Sequence, residues 1–274
     1  MKDYIILTDS STDLPLSYVS ENNIPFVSLT YIIDDNEFKD DLGEKISVEQ
    51  FYENMKTGTL PTTAQVNMLE YTEIFKAFLD RGQDLIYLGF SSGLSGSVGN
   101  AAAAAKELAE EYPQRKIAVV DTLCASLGEG LLVYTAVEMS KNGASFEEVV
   151  QFAENSKLKL NHWFTVDDLN HLLRGGRVSK LSAIFGTILN IKPVLNVNEE
   201  GKLIPRDKIR GRENSIKALA DKYGKYADMS MEQTVFISHG NCKADAEKLK
   251  ELLEKTYKNI KGFIINPTDR KSVV

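Results

Sequence analysis

The chain has 274 residues, 43% of them hydrophobic and 26% charged, with a net charge of −7. That length suits two cores better than one, and the composition is that of a globular protein. An acidic chain is a poor nucleic-acid partner, no apolar run is long enough for a bilayer, and no charged-then-apolar leader opens the chain, so a cytoplasmic protein is expected.

Residues 4–8 read as a buried strand, followed by Asp9-Ser10-Ser11-Thr12-Asp13-Leu14-Pro15. This loop is dense in groups that cap helices and turn chains, and it either lines a ligand site or caps a short helix. Residues 26–33 form a second strand, and Ser47-Val48-Glu49-Gln50 is a capping-box pattern opening a helix through Met55. From Thr57 to Asn67 the chain is aperiodic and rich in hydroxyls, a loop longer than a connection requires. A helix resumes over 68–81.

Residues 85–106 organise the rest: an apolar strand, then Ser91-Ser92-Gly93-Leu94-Ser95-Gly96-Ser97, then an alanine-rich helix. In parallel α/β sheets ligands gather where strands end and helices begin, and unpaired amides at a helix N-terminus favour an anionic group. The spacing fits neither a nucleophile elbow nor a P-loop, because Gly93-Leu94-Ser95-Gly96 runs into Ser97 and no lysine precedes Lys106. The serines either hold an acidic ligand or merely cap the helix.

A strand over 116–121 leads to Asp121-Thr122-Leu123-Cys124-Ala125-Ser126, then helices over 127–141 and from Ser145 to about 158. This alternation implies a mostly parallel sheet covered by helices on both faces. Near residue 160 the rhythm resets. A strand over 163–166 and a helix over 167–173 end at Arg174-Gly175-Gly176-Arg177, and an antiparallel hairpin over 193–197 and 202–205 turns at Glu200-Gly201. Arg206, Lys208, Arg210 and Arg212 then cluster in an acidic chain. With Arg174 and Arg177 they are either solvated surface or a docking face for an acidic partner. A helix over 215–226, a strand over 234–238, a helix over 243–257 and a strand over 260–265 follow. The expected fold class is α/β in two domains, 1–160 with a mostly parallel sheet and 161–274 with a mixed sheet, and the ligand between them. His162 and His171 read as structural or exposed; His239 alone stands at a strand end. Cys124 and Cys242 lie far apart and no cluster has metal spacing, so no metal or cofactor is expected.

Several motifs, in order, resemble the DegV family of fatty-acid-binding proteins over nearly the whole chain. They include Asp9–Pro15, Pro61-Thr62-Thr63-Ala64-Gln65, the Ser91–Ser97 loop, Asp121-Thr122 with Ala125-Ser126, and Asp168-Leu169 through Arg177. Asn190-Ile191-Lys192-Pro193-Val194-Leu195, Lys208 with Arg210, and Ser238-His239-Gly240 complete the set. The resemblance implies two α/β domains clasping a long-chain fatty acid, whose carboxylate falls to Thr63, Ser95 and the Gly96 amide. Ser10, Ser92 and Ser126 on the neighbouring loops are further ligand candidates. It also implies a carrier that presents the carboxylate to a separate kinase subunit, with Arg174, Arg177, Lys208 and Arg210 as partner-binding candidates, and no catalytic residue of its own. Two positions depart from the pattern: Ala64 replaces a serine, and no histidine follows His239 where the family's tail carries one; Arg270 is a cation near that end. The competing readings are a small-molecule hydrolase using Ser95 with His239 as base, and a DNA-binding regulator, which the charge and the lack of a helix-turn-helix pattern oppose.

Overall fold

The computed structural model describes residues 3–167, 169–178 and 190–269. The first half runs β1 (Tyr4–Asp9), α1 (Leu16–Glu21), β2 (Phe26–Val27), β3 (Thr30–Ile33), β4 (Asn36–Lys39), α2 (Val48–Lys56) and β5 (Thr62–Ala64). It continues with α3 (Met68–Leu79), β6 (Asp84–Gly89), α4 (Ser97–Glu111), β7 (Ile117–Asp121), α5 (Ser126–Lys141) and α6 (Phe146–Ser156). Strands β2-β1-β6-β7 form an all-parallel sheet in that order. Alternate residues of β6 face opposite sides: Leu85 and Tyr87 pack with Tyr71, Phe75, Ala101 and Ala104, while Ile86 and Leu88 pack with Leu132, Val133, Ala136 and Val149. The sheet therefore has helices on both faces, as the β–α alternation implies. Within α4, Ala101 and Ala104 are buried while Ala102 and Ala103 are exposed, so the alanine run serves both propensity and close packing on the sheet.

One element was not read from the sequence. The expected strand over 26–33 divides, and Thr30–Ile33 leaves the parallel sheet to pair antiparallel with β4 and β5. The β3–β4 turn is Asp34-Asp35, both at positive φ, which suits a two-residue hairpin. Ser145 makes a complete capping box with Glu148. At Ser47 only half forms, because Gln50 turns its side chain to Asn54.

The second half contains β8 (Trp163–Thr165), α7 (Asn170–Arg174), β9 (Ile191–Val197), β10 (Leu203–Arg210), α8 (Arg212–Tyr226), β11 (Gln233–His239), α9 (Lys243–Thr256) and β12 (Ile260–Pro267). Both pairing senses occur: β10-β9-β8 is antiparallel, and β11-β12 is parallel. Strand β10 runs five residues past the expected hairpin, carried through an irregularity between Pro205 and Asp207, so Arg206, Lys208 and Arg210 lie on an exposed strand rather than in a loop. Asp168 and Arg270 lie outside the described residues.

Candidate functional site

The Ser91–Ser97 loop leaves the C-terminal end of β6 and folds back on itself. Leu94 and Ser95 N–H groups both donate to Ser91 O, at 3.1 and 3.0 Å. Ser95 Oγ lies 3.0 Å from Ser97 Oγ and accepts the Ser97 N–H at the first turn of α4. The β5 segment is tied to the same turn. Val66 N–H donates to Ser97 Oγ at 3.2 Å, Asn100 Nδ2 donates to Val66 O at 2.7 Å, and the Gln65 side chain lies against Gly96, where any Cβ would collide with it. Half-buried Thr63, paired with Tyr31, is thereby carried on the strand leading into this corner. Thr63, Ser95 and Gly96 thus belong to two segments fastened together at one helix N-terminus.

The other serine candidates are distributed differently. Ser92 is exposed, its N–H donating to the Asp121 carboxylate at 3.1 Å. Ser10 is fully buried and accepts the Leu29 N–H at 3.1 Å. Ser126 belongs to a second cluster: its hydroxyl donates to the Asp13 carboxylate and lies 2.9 Å from Ser238 Oγ. The Asp269 N–H donates to Asp13 Oδ1 at 2.6 Å, and Asn266 Nδ2 to Asp13 O at 2.8 Å, so this cluster joins the β1 loop to the end of β12. Burial, and after it the charge of Asp269, push the Asp13 carboxyl well above its usual range. Asp13, Leu123 and Ser126 all have positive φ, and such strain in non-glycine residues concentrates at functional sites.

Sequence reasoning missed a third group beneath the Ser95 loop. Asp9 is fully buried, accepting from Tyr87 Oη at 2.9 Å, from Phe90 N–H at 3.0 Å and from the Ser11 hydroxyl. Glu129, also fully buried, lies 3.3 Å from both the Ser11 and the Thr8 hydroxyl oxygens. Burial first, then the Asp9 charge, raises the Glu129 carboxyl well above its usual range. A sequence signal existed: Glu129 shares a helix face with Leu132, Val133 and Ala136, all buried.

The two halves meet on this corner. Ser91 Oγ donates to Gly201 O at 2.9 Å, and a Cβ on Gly93 would lie 2.5 Å from Glu200 O. Arg177 is half-buried and turned inward, donating to Leu94 O at 3.3 Å and to Gly175 O. Arg212 pairs with Asp245 at 2.8 Å, whereas Arg174, Arg206, Lys208 and Arg210 are exposed. His239 ends β11, its Nδ1 sealed without a partner, and burial, then Lys243, lower its pKa. His162 lies against Gly128 of α5, where a Cβ would overlap the ring. Among the described residues no His, Cys, Asp and Glu group has the makings of a metal site, and no helix is long and apolar enough to cross a membrane.

Fold and site together define an α/β protein whose strand-end loops gather hydroxyls, amides and buried acids where its two halves meet. The DegV family model matches residues 4–270, and the chain belongs to the DegV family. It is 41% identical over 266 residues to a DegV domain-containing protein of Clostridium perfringens, covering 97% of this chain and 91% of that one. It is similar in structure to a DegV lipid binding protein from Thermotoga maritima, with a TM-score of 0.85, 29% identity, and 99% and 93% of the two chains covered. A fatty acid binding DegV family protein from Streptococcus agalactiae matches with a TM-score of 0.82, 30% identity, and 97% and 93% covered.

Proposed function

We infer that this chain binds one long-chain fatty acid between two domains that divide near residue 160. Its carboxylate is held by the hydroxyls of Thr63 and Ser95 and the Gly96 amide. The observation that carries the reading is the fastening of the Thr63 strand to the Ser95 turn through Val66, Ser97 and Asn100, at the N-terminus of α4. Solved relatives described as lipid or fatty acid binding cover almost the whole chain and support the ligand class. Energetically the tail dominates: about 14 methylenes at about 0.8 kcal/mol each give roughly 10 kcal/mol before ordering costs. The head group needs donors because a carboxylate removed from water is costly unless hydrogen-bonded. The carrier presents this carboxylate to a separate kinase subunit, and Arg174, Arg177, Lys208 and Arg210 are its partner-binding residues. No catalytic residue of this chain is required.

Ser95→Ala tests the head-group assignment. Fatty-acid affinity measured by titration calorimetry is expected to fall by about 1–3 kcal/mol, the cost of stripping a buried anion of one donor. Unchanged affinity would remove Ser95 from the site.

A further inference from the structure

Asp9 and Glu129, the two fully buried carboxyls beneath the Ser95 loop, differ in their donors. Asp9 Oδ1 accepts the Ser11 N–H at 3.0 Å and the Ser11 hydroxyl. Asp9 Oδ2 accepts the Tyr87 hydroxyl at 2.9 Å and the Phe90 N–H at 3.0 Å. Four donors fill the acceptor sites of a carboxylate, and two of these are amides, which can only donate. Glu129 finds hydrogen-bond contacts only with Thr8 and Ser11 among the described residues, each at 3.3 Å, too far for the short bonds a buried carboxylate requires. Neither hydroxyl has a hydrogen to spare for it: Thr8 gives its single one to Leu88 O at 2.9 Å, and Ser11 gives its own to Asp9. The charge of the pair therefore rests on Asp9, and Glu129 is a neutral acid.

Ser11 is where the two carboxyls compete. Helix α5 is pressed against the turn Ser10–Thr12: a Cβ on Gly130, next to Glu129, would lie 2.4 Å from Thr12 O, so neither side can draw back. On the far side Asp9 holds the Phe90 amide, and the carbonyl of the next residue, Ser91, accepts the Ser95 N–H at 3.0 Å. A continuous set of contacts thus runs from α5 through the turn, Asp9 and the end of β6 to Ser95. An ionised Glu129 would be a second charged acceptor for the one Ser11 hydrogen. It would also be a second buried anion beneath a site that receives one from the ligand.

We propose that Glu129 is a positioning residue for the lipid carboxylate and serves the site only while neutral: its ionisation draws the Ser11 hydroxyl off Asp9, leaves Asp9 free to turn from Phe90, and slackens the Ser95 loop. This rests on the head-group reading above and adds the acid that keeps the loop in place. The titratable groups set around Glu129 are Asp9 at the end of β1, Tyr71 of α3, Tyr87 of β6, Cys124 before α5 and Asp269 after β12. All are acids, so a charge on any of them opposes one on Glu129. Burial, and after it the Asp9 charge, raises the Glu129 carboxyl well above its usual range, in the direction the donor count requires.

Infrared spectra of wild type and Glu129→Gln at neutral pH test the protonation state. Wild type is expected to show the carbonyl band of a protonated buried carboxyl that the variant lacks; identical spectra in that region would overturn the assignment. Titration calorimetry with oleate over roughly pH 7–10 tests the coupling. The lipid-bound form holds the Glu129 proton more tightly, so wild-type affinity is expected to fall as pH rises, by roughly tenfold relative to Glu129→Gln, which cannot ionise. Ionisation of oleate and of every other group is common to both proteins and cancels in the ratio. Ser11→Ala removes the contested hydroxyl and leaves the acid: it is expected to lose most of the wild-type fall, and it carries the coupling test if Glu129→Gln does not fold. Parallel profiles of wild type and Glu129→Gln, or a full wild-type fall in Ser11→Ala, would overturn the coupling and leave the fatty-acid reading standing. Failure of the wild-type chain to bind oleate at neutral pH would overturn that reading, while the infrared band still decides the state of Glu129.

Discussion

His162→Leu removes a base that folding deprives of its proton. Both ring nitrogens of His162 are sealed and without hydrogen-bond partners, and burial lowers its pKa from 6.5 to about 4. The group is neutral in the fold but protonated in the unfolded chain between those values. The unfolded state therefore binds more protons there, and the stability contribution, full above pH 6.5, is lost as pH falls towards about 4. The shift corresponds to roughly 3 kcal/mol over that window. Urea unfolding of wild type and His162→Leu at a series of pH values isolates it, because every other titrating group is common to the two proteins. Wild type is expected to lose roughly 3 kcal/mol relative to the variant between pH 7 and pH 4. Because His162 packs on Gly128 of α5, the loss falls at the junction between the two halves. Parallel stability profiles would refute the argument, since they would mean that the ring titrates in the folded protein as it does in water.

Gly93→Ala is expected to destabilise the protein by about 1–3 kcal/mol and to lower lipid retention, because its new methyl meets backbone carbonyls of Glu200 and Gly201 that cannot rotate away; a melting temperature equal to wild type would contradict the tight docking of the hairpin on the Ser91 loop. Arg210→Glu, on the exposed strand β10, is expected to leave oleate affinity unchanged while abolishing acyl-phosphate formation with a cognate kinase subunit. Full kinase-dependent activity in that variant would reduce the arginine and lysine cluster to solvated surface.

Much of the fold was legible because its signals are local. Ser145 and Glu148 announce their helix, Gly175-Gly176 ends α7 with Gly176 at positive φ, and the apolar run of β6 marks a strand buried on both faces. The small sheet of β3, β4 and β5 was not legible, because its strands are three or four residues long and one hides in the hydroxyl-rich stretch before α3. At the site, the loop that carries Ser95 was readable from Gly and Ser spacing. The acids beneath it were not. A glutamate on a helix ordinarily faces water, so the position of Glu129 on the apolar face of α5 is a weak signal, and the tertiary contacts with Ser11 and Thr8 show what it meets inside. Likewise no local pattern marks the contact of the Tyr71 and Tyr87 hydroxyls, which joins residues sixteen apart in the chain. The cation cluster was visible as composition, but its engagement was not: Arg212 is held by Asp245 and Arg177 by Leu94 O, both far away in sequence.

Native mass spectrometry of the purified chain tests the central claim most directly. The expected result is protein carrying one long-chain fatty acid, released on denaturation and identified by its mass. A chain that emerges free of lipid, and stays free after incubation with oleate, would contradict the account.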